Sequence, residues 1–221
     1  RRRAAVRLRP MILYSDPGSP YSGIVRAAIY AKGLDIPIQP PPSGLKSDEY
    51  RALSGTGTVP CLILDDGSPL PESTVILSYL DEKFPERPLT PTGLEARARV
   101  ALLVRLGVEG VIDPIVGFLH DLVLGVAGAH EAARTRLEAG LGKLERFGPV
   151  EGFAAGSGFT QADCVLGPAL MGVGAFEDML AAPGLLARHE NLAAYAPRAA
   201  AHPAVAKVVA ELQAALAASG V

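Results

Sequence analysis

Two kinds of hydrophobic pattern divide the chain at about residue 85. Before that point, short apolar runs alternate with stretches in which apolar residues recur every three or four positions, which predicts a mixture of strands and helices. After it the strand-like runs disappear, and long segments rich in Leu, Val, Ala, Arg and Glu keep the helical period. The pattern therefore predicts an α/β part followed by an all-helical part.

The first part, residues 11–84, predicts elements in the order βαβ-α-ββα. We expect a strand at 11–14, a helix at 20–32, a strand at 36–39, a short helix at 47–53, a hairpin over 61–70 and a third helix from Ser73 to about Phe84. Gly33 stands where a helix favours a terminal glycine, and Asp66-Gly67 is a typical hairpin turn.

The segment 85–92 contains three prolines and no periodic apolar signal, so it predicts a linker. The helical part then covers 93–221. Its helices are expected at 94–125 with a bend near Pro114, and at 127–147, 161–176, 191–200 and 203–217. Thr160 followed by Asp163 predicts a capping box, with Asp in place of Glu, at the start of the helix that begins at Gln161.

Composition narrows the function classes. The net charge of −2 over 221 residues gives no broad basic field, which argues against nucleic acid as a partner. Uninterrupted apolar runs are too short for a membrane span. The two cysteines, Cys61 and Cys164, are too few for a disulfide framework and fit the cytoplasm. No cluster of residues has the spacing of a metal site.

Residues 1–10 are basic, free of acids and unlike the rest of the chain. We interpret them as an N-terminal extension ahead of Met11, with a transit peptide as the alternative.

The dipeptide Ser19-Pro20 follows the first strand and begins the first helix. Serine is a preferred N-cap, and proline suits the first helical position. The Ser19 hydroxyl is thus expected at the positive end of a helix, where an anion or a thiolate is stabilised. Taken alone, a plain helix cap is the simpler interpretation.

Two further dipeptides could bind a peptide-like ligand. Pro60 opens a strand, so we expect it at an edge or a turn, where the backbone of Val59 is free to pair with a peptide. Ser73 is expected to cap the third helix, whose free N–H groups can hold a carboxylate, while Glu72 accepts from an amino group. An ordinary loop proline and a plain cap are the alternatives.

The order and spacing of three motifs resemble the cytosolic glutathione S-transferases, in particular serine-type, bacterial-like members. The motifs span nearly the whole chain. They are Ser19-Pro20-Tyr21-Ser22 after Leu13-Tyr14-Ser15, Val59-Pro60 followed by Pro71-Glu72-Ser73, and Phe159-Thr160-Gln161-Ala162-Asp163. The resemblance implies a thioredoxin-like N-terminal domain, an all-α C-terminal domain, a cis Val59–Pro60 bond, glutathione as co-substrate and a homodimer.

The resemblance also assigns roles. Bound glutathione would be activated as a thiolate for attack on a small apolar electrophile, a detoxification reaction. Ser19 would donate to the sulfur, with Tyr14 and Ser15 as alternatives. Glutathione would be bound by Val59, Pro60, Glu72, Ser73 and Lys46, and the second-substrate pocket would include Ile112, Ile115, Phe118, Leu119 and Leu122. Serine stands where cysteine-type members carry a reactive cysteine, which disfavours disulfide exchange.

Two departures from the family pattern bear on substrate. Ser54-Gly55-Thr56-Gly57 stands where an Asn-Pro pair is common, and Ser19-Pro20-Tyr21 stands where isomerase-type zeta members carry Ser-Ser-Cys. We therefore do not extend the zeta substrate to this chain. A non-enzymatic interaction module with the same fold and a specialised glutathione-dependent lyase or dehalogenase are the alternative functions.

Overall fold

The computed structural model describes residues 10–149 and 151–219, so the predicted extension lies outside them except for Pro10. The first part has the predicted order, and the ends of its elements differ from the prediction by at most two residues. Its elements are β1 (Ile12–Tyr14), α1 (Pro20–Lys32), β2 (Ile38–Gln39), α2 (Asp48–Ser54), β3 (Cys61–Ile63), β4 (Pro69–Pro71) and α3 (Ser73–Lys83).

The four strands form one sheet in the order β2-β1-β3-β4. Strand β1 runs parallel to β2 and antiparallel to β3, and Leu13 is paired with Ile38 on one side and Leu62 on the other. Leu13 and Leu62 are fully buried, and they pack in one apolar cluster with Val25 and Ile29 of α1. This packing fixes α1 against the sheet, and it therefore also fixes the position of Ser19, which directly precedes α1.

The remaining elements are helical. They are α4 (Leu94–Gly107), α5 (Asp113–Val123), α6 (Ala129–Phe147), α7 (Gln161–Phe176), α8 (Glu190–Ala200) and α9 (Pro203–Ser219). In the described residues beyond α3, strand pairing is limited to one bridge between Phe153 and Gly156. The all-helical second part is confirmed. No helix in the ranges 10–149 and 151–219 is both long and apolar enough to cross a bilayer.

The predicted single helix over 94–125 is instead two helices joined by a π-helical turn, Val108–Ile112. Gly110 in this turn lies against Gly140 of α6, so closely that a Cβ on Gly140 would collide with the Gly110 carbonyl. Pro114 stands in the first turn of α5, where its missing N–H costs little. The interruption therefore coincides with the π turn that precedes the proline.

Helix α7 is buried along most of its length and contacts α1, α4, α8 and α9. The predicted capping box is present at its start, where Asp163 Oδ2 accepts from the backbone N–H of Thr160 at 2.8 Å. Oδ1 of the same carboxylate accepts from the Tyr195 hydroxyl at 2.8 Å. Burial raises the pKa of Asp163, although these hydrogen bonds oppose the rise.

A buried polar network joins the two parts. Lys32 Nζ at the end of α1 donates to Asp81 Oδ1 of α3 at 2.8 Å and to the Arg87 carbonyl at 2.6 Å. Gln161 Nε2 of α7 donates to Asp81 Oδ2 at 3.2 Å. Burial alone would raise the pKa of Asp81, but the hydrogen bonds from Lys32 and from the Leu89 N–H outweigh it and lower the pKa.

Candidate active site

A cavity of about 860 Å³ lies between the two parts. One side is formed by the start of α1 and by the loop that leads into β3, and the other by α5, α7 and α9. Most of the lining side chains are aliphatic. The polar ones are Asp16, Ser19, Tyr21, Thr58 and Gln213. The cavity is therefore an apolar chamber, and four of its five polar lining residues belong to the α/β part.

Ser19 lies on the wall of this cavity and is the N-cap of α1. Its Oγ accepts a hydrogen bond from the backbone N–H of Ser22 at 3.2 Å. A hydroxyl that accepts in this way keeps its own proton and can still donate it. Capping the helix and donating to a ligand sulfur are thus compatible for this one group, and the positive end of α1 favours an anion beside it.

The two alternative donors lie elsewhere. Ser15 is buried, and its Oγ accepts from Arg26 Nη1 at 2.8 Å. The ring of Tyr14 packs edge-on against the ring of Tyr50, with centroids 5.8 Å apart. Neither residue lines the cavity. Of the three hydroxyl groups considered from the sequence, only Ser19 is in contact with the cavity.

The peptide bond between Val59 and Pro60 is cis, as the resemblance implied. Pro60 is buried just before β3, and Val59 lines the cavity. Among the residues that the structure describes, none makes a hydrogen bond to the backbone N–H or C=O of Val59. These two groups are available to pair with the backbone of an extended ligand.

Glu72 and Ser73 lie at the start of α3, and neither is among the residues that line the cavity. Glu72 is exposed and has a φ of 74°, which is unusual for a residue other than glycine and recurs at functional sites. The prediction that Ser73 caps α3 is wrong, because Glu72 occupies the N-cap position and no side chain caps the helix. The first N–H groups of α3 therefore lack a side-chain cap and suit a carboxylate.

Two family models match this chain. The model of the glutathione S-transferase N-terminal domain matches residues 13–88, and that of the glutathione S-transferase C-terminal domain matches residues 127–211. The chain belongs to the glutathione S-transferase family. The family, the fold class and the enzyme class predicted from the motifs are thereby confirmed.

The chain is similar to curated proteins that carry several different names. The chain is 34% identical over 163 residues to a stringent starvation protein A homolog of Coxiella burnetii, covering 72% of this chain and 74% of that protein. It is 31% identical over 201 residues to a probable maleylacetoacetate isomerase 2 of Drosophila melanogaster, covering 87% of each.

Solved structures of a glutathione S-transferase and of a maleylacetoacetate isomerase have the same fold as this chain. One from Methylobacillus flagellatus with glutathione bound has a TM-score of 0.75 and 24% identity, covering 90% of this chain and 98% of that one. A maleylacetoacetate isomerase from Anaeromyxobacter dehalogenans, with glutathione in its active site, has a TM-score of 0.73 and 26% identity, covering 92% and 96%.

The predicted wall residues of this glutathione S-transferase do not all lie on the cavity. Ile112, Ile115, Leu119 and Leu122 line it. Phe118 does not: its side chain is buried in the core, and its ring packs edge-on against His130 of α6 with centroids 5.1 Å apart. Phe118 falls on the flank of α5 that faces α6, which corrects the prediction. Lys46 is exposed between β2 and α2 and does not line the cavity.

Tyr21 is one of the lining residues of this glutathione S-transferase to which the sequence assigned no role. Its hydroxyl donates to Asp113 Oδ1 at 2.6 Å, so it joins α1 to the first turn of α5. Burial, followed by the contact with Asp113, raises the pKa of Tyr21 well above its usual value. The phenol therefore stays protonated and bound to Asp113. The two partners are 92 residues apart, too far for a local pattern to reveal the pair.

The thiols of this glutathione S-transferase are poorly suited to react as thiolates. Burial raises the pKa of Cys61 to about 11 and that of Cys164 well above its usual value. A cysteine reacts through its thiolate, which is scarce at neutral pH under these conditions. In the described part of the chain, no group of three or more His, Cys, Asp or Glu side chains could hold a metal ion.

Proposed function

We propose that this protein is a serine-type glutathione transferase in which the Ser19 hydroxyl stabilises bound glutathione as a thiolate for attack on a small, neutral, apolar electrophile. The observation that carries the proposal is the position of Ser19, at the N-terminus of α1 and on the wall of a large apolar cavity. No metal takes part in the proposed reaction.

The free energy needed to lower the pKa of the bound thiol matches what a hydroxyl donor and a helix N-terminus can supply. A thiol with a pKa near 8.5 is only about 3% ionised at pH 7. Lowering that pKa by about two units raises the ionised fraction to roughly three-quarters and requires about 2.7 kcal/mol. A hydrogen bond to a charged group contributes about 1.5–3 kcal/mol, and a helix N-terminus adds about 0.3–1 kcal/mol. One capping hydroxyl at the start of α1 can therefore supply the stabilisation.

The surrounding groups match the remaining parts of glutathione. The free N–H and C=O of Val59, placed by Pro60, would pair with the cysteinyl backbone. The γ-glutamyl carboxylate would lie at the N-terminus of α3 beside Ser73, and Glu72 would accept from the α-amino group. For the glycyl carboxylate we propose Lys46, which is exposed on the loop before α2.

The charge of the cavity wall limits the second substrate. Asp16 is the one charged side chain among the lining residues, and none of them is Lys, Arg or His. A carboxylate that entered the apolar chamber would lose its hydration without gaining a partner. This favours neutral electrophiles and argues against extending to this protein the substrate for which the maleylacetoacetate isomerases are named.

The proposal is tested by binding and by conjugation. We expect the protein to be retained on immobilised glutathione and to conjugate glutathione to a chloronitrobenzamide. The matched chloronitrobenzoate, which differs in carrying a carboxylate, should show a kcat/KM at least about tenfold lower after correction for the uncatalysed rates, equivalent to about 1.4 kcal/mol. A folded protein that neither binds nor conjugates glutathione would support the interaction-module alternative, and equal rates for the two compounds would contradict the argument from wall charge.

We also propose a homodimer, in which the first domain of one subunit contacts the helical domain of the other. Val75 on α3 and Leu102 on α4 support this arrangement, because these apolar side chains are 48% and 40% exposed, one in each part of the chain. Sedimentation at micromolar concentration should give the mass of two chains. In Val75→Glu the mass should fall toward one chain, and a monomeric wild type would contradict the proposal.

Three further proposals concern domain boundaries, location and role. We place the boundary between the two domains in the linker 85–92. We assign the protein to the cytoplasm, supported by the two cysteines, which are both free and buried. We infer a role in detoxification, since an apolar cavity beside a thiolate suits a range of apolar electrophiles.

A further inference from the structure

Arg26 in α1 is almost fully buried, at 2% exposure, and its guanidinium donates four hydrogen bonds. Nη1 donates to Ser15 Oγ and to the Asp16 carbonyl, both at 2.8 Å, and Nη2 donates to the Pro17 carbonyl at 2.9 Å. The guanidinium therefore fixes the loop 15–17, which leads directly into Ser19.

The link from this guanidinium to Ser19 is short. The Asp16 carbonyl that accepts from Arg26 also accepts from the backbone N–H of Ser19 at 3.1 Å. The position of Ser19 is thus set from both sides, by this carbonyl before it and by the first turn of α1 after it. A displacement of the Arg26 guanidinium would move the carbonyl, and the serine with it.

The fourth hydrogen bond of Arg26 is to the other domain. Its Nε donates to Glu211 Oε2 of α9 at 2.7 Å, and the second oxygen of Glu211 accepts from the Tyr30 hydroxyl at 2.7 Å. Helix α9 also forms part of the cavity wall through Val209, Leu212 and Gln213. The same helix therefore touches both the chamber for the second substrate and the arginine that holds the Ser19 loop.

We propose that Arg26, held by Glu211, is a positioning residue that fixes the Ser19 hydroxyl for thiol activation, so that the helical domain contributes to activation without touching glutathione. This inference rests on the proposed function. Two other charged groups belong to the segments around the pair: the Asp16 carboxylate, which accepts from the Gly18 N–H at 2.7 Å, and Lys207, whose ammonium lies 3.8 Å from the centroid of the Tyr30 ring.

The test is the substitution Glu211→Gln, with Tyr30→Phe as its control. Tyr30→Phe removes the second hydrogen bond of Glu211 but leaves the contact with Arg26 in place. The measurements are the thiol pKa of bound glutathione, from thiolate absorbance and from the pH dependence of kcat/KM, and the separate values of kcat and of KM for glutathione. Thermal unfolding shows whether each variant is folded.

We expect Glu211→Gln to raise the pKa of the bound thiol by about one unit, and to lower kcat at pH 6 by roughly tenfold. The KM for glutathione should change less than about twofold, because none of its proposed binding groups is altered. The direction of the change in the thiol pKa separates lost positioning from a simple charge effect. Removing the negative charge of Glu211 would by itself favour the thiolate and lower the pKa. A raised pKa therefore reports lost positioning. Tyr30→Phe should behave like the wild type.

A second variant tests the same link from the arginine side. Arg26→Lys keeps the positive charge opposite Glu211 but loses the planar fork that reaches two carbonyls at once, and it should raise the thiol pKa in the same direction. An unchanged pKa and kcat in folded Glu211→Gln would overturn the inference, as would an equal effect in Tyr30→Phe. If the wild type itself does not lower the thiol pKa, the proposed function fails and this inference with it.

Discussion

Ser19→Ala is expected to lower kcat/KM for conjugation by roughly 25-fold at pH 7, because the ionised fraction of bound glutathione falls from about three-quarters to about 3%. The loss should shrink above about pH 9, where the thiol ionises without help. The variant also loses a helix cap, at a cost of about 1 kcal/mol in stability. The measurements are the pH profile of kcat/KM and the free energy of unfolding in urea.

Ser47→Ala is a matched control for the loss of a cap. Ser47 is the N-cap of α2, and its Oγ accepts from the Tyr50 N–H at 3.1 Å, much as Ser19 accepts from Ser22. It does not line the cavity. This variant should lose a similar amount of stability, about 1 kcal/mol, and keep the wild-type kcat/KM. If Ser19→Ala kept its activity while Tyr14→Phe or Ser15→Ala lost it, Ser19 would be a cap alone.

Lys32→Met is expected to destabilise the fold by about 3–5 kcal/mol at pH 7, because it leaves the Asp81 carboxylate buried without its positively charged partner. The side chains of Lys32 and Asp81 are 1% and 6% exposed, and their charged atoms are 2.8 Å apart. Urea unfolding at several pH values measures the effect. Lys83→Met is the control, since the ion pair of Lys83 with Asp65 has a similar length of 2.7 Å but is on the surface, and little change is expected there.

The pH dependence of this effect has a definite sign. The pKa of Asp81 is lowered in the folded protein, so its contribution is present above the unfolded pKa of about 3.9 and is lost as pH falls through the folded value. In Lys32→Met, burial without the ammonium should raise the pKa of Asp81 instead. The difference in stability between the two proteins should therefore narrow toward acid pH. A constant difference from pH 7 to pH 3 would contradict this account.

The sequence predicted best the elements whose ends are encoded locally. Helix α1 was predicted as 20–32 and α7 as 161–176, and both have these bounds, because a capping serine or threonine and the residues after it lie side by side in the chain. The π turn was missed because it accompanies the contact of Gly110 with Gly140, and nothing in the local pattern signals a contact between glycines that far apart.

The residues of the candidate site likewise fall into those that local motifs indicate and those that only the fold brings together. Ser19, Val59 and Glu72 belong to short motifs and could be proposed from the sequence. The bonds of Tyr21 to Asp113 and of Arg26 to Glu211 join residues 92 and 185 positions apart, so only the fold brings them together. Phe118 was misplaced because helical spacing tells which residues are apolar but not which neighbour each one faces. The prediction that Ser73 caps α3 failed because the helix begins one residue earlier than a cap at Ser73 would place it. Glu72, with a φ of 74°, occupies the N-cap position instead.

The π turn before α5 has a consequence for how substrate preference can diverge. A π turn carries one residue more than the α-helical turn it replaces, and each residue rotates the following helix by about 100°. Removing one residue there would advance the register of α5, so that Asp113 took the place of Ile112 and His120 that of Leu119. The α5 side of the cavity, now apolar, would then carry a carboxylate and an imidazole. The groups proposed to bind glutathione, at Ser19, the cis-proline loop and the start of α3, would be unchanged. A single-codon deletion in this turn is thus a short evolutionary route from neutral to polar substrates.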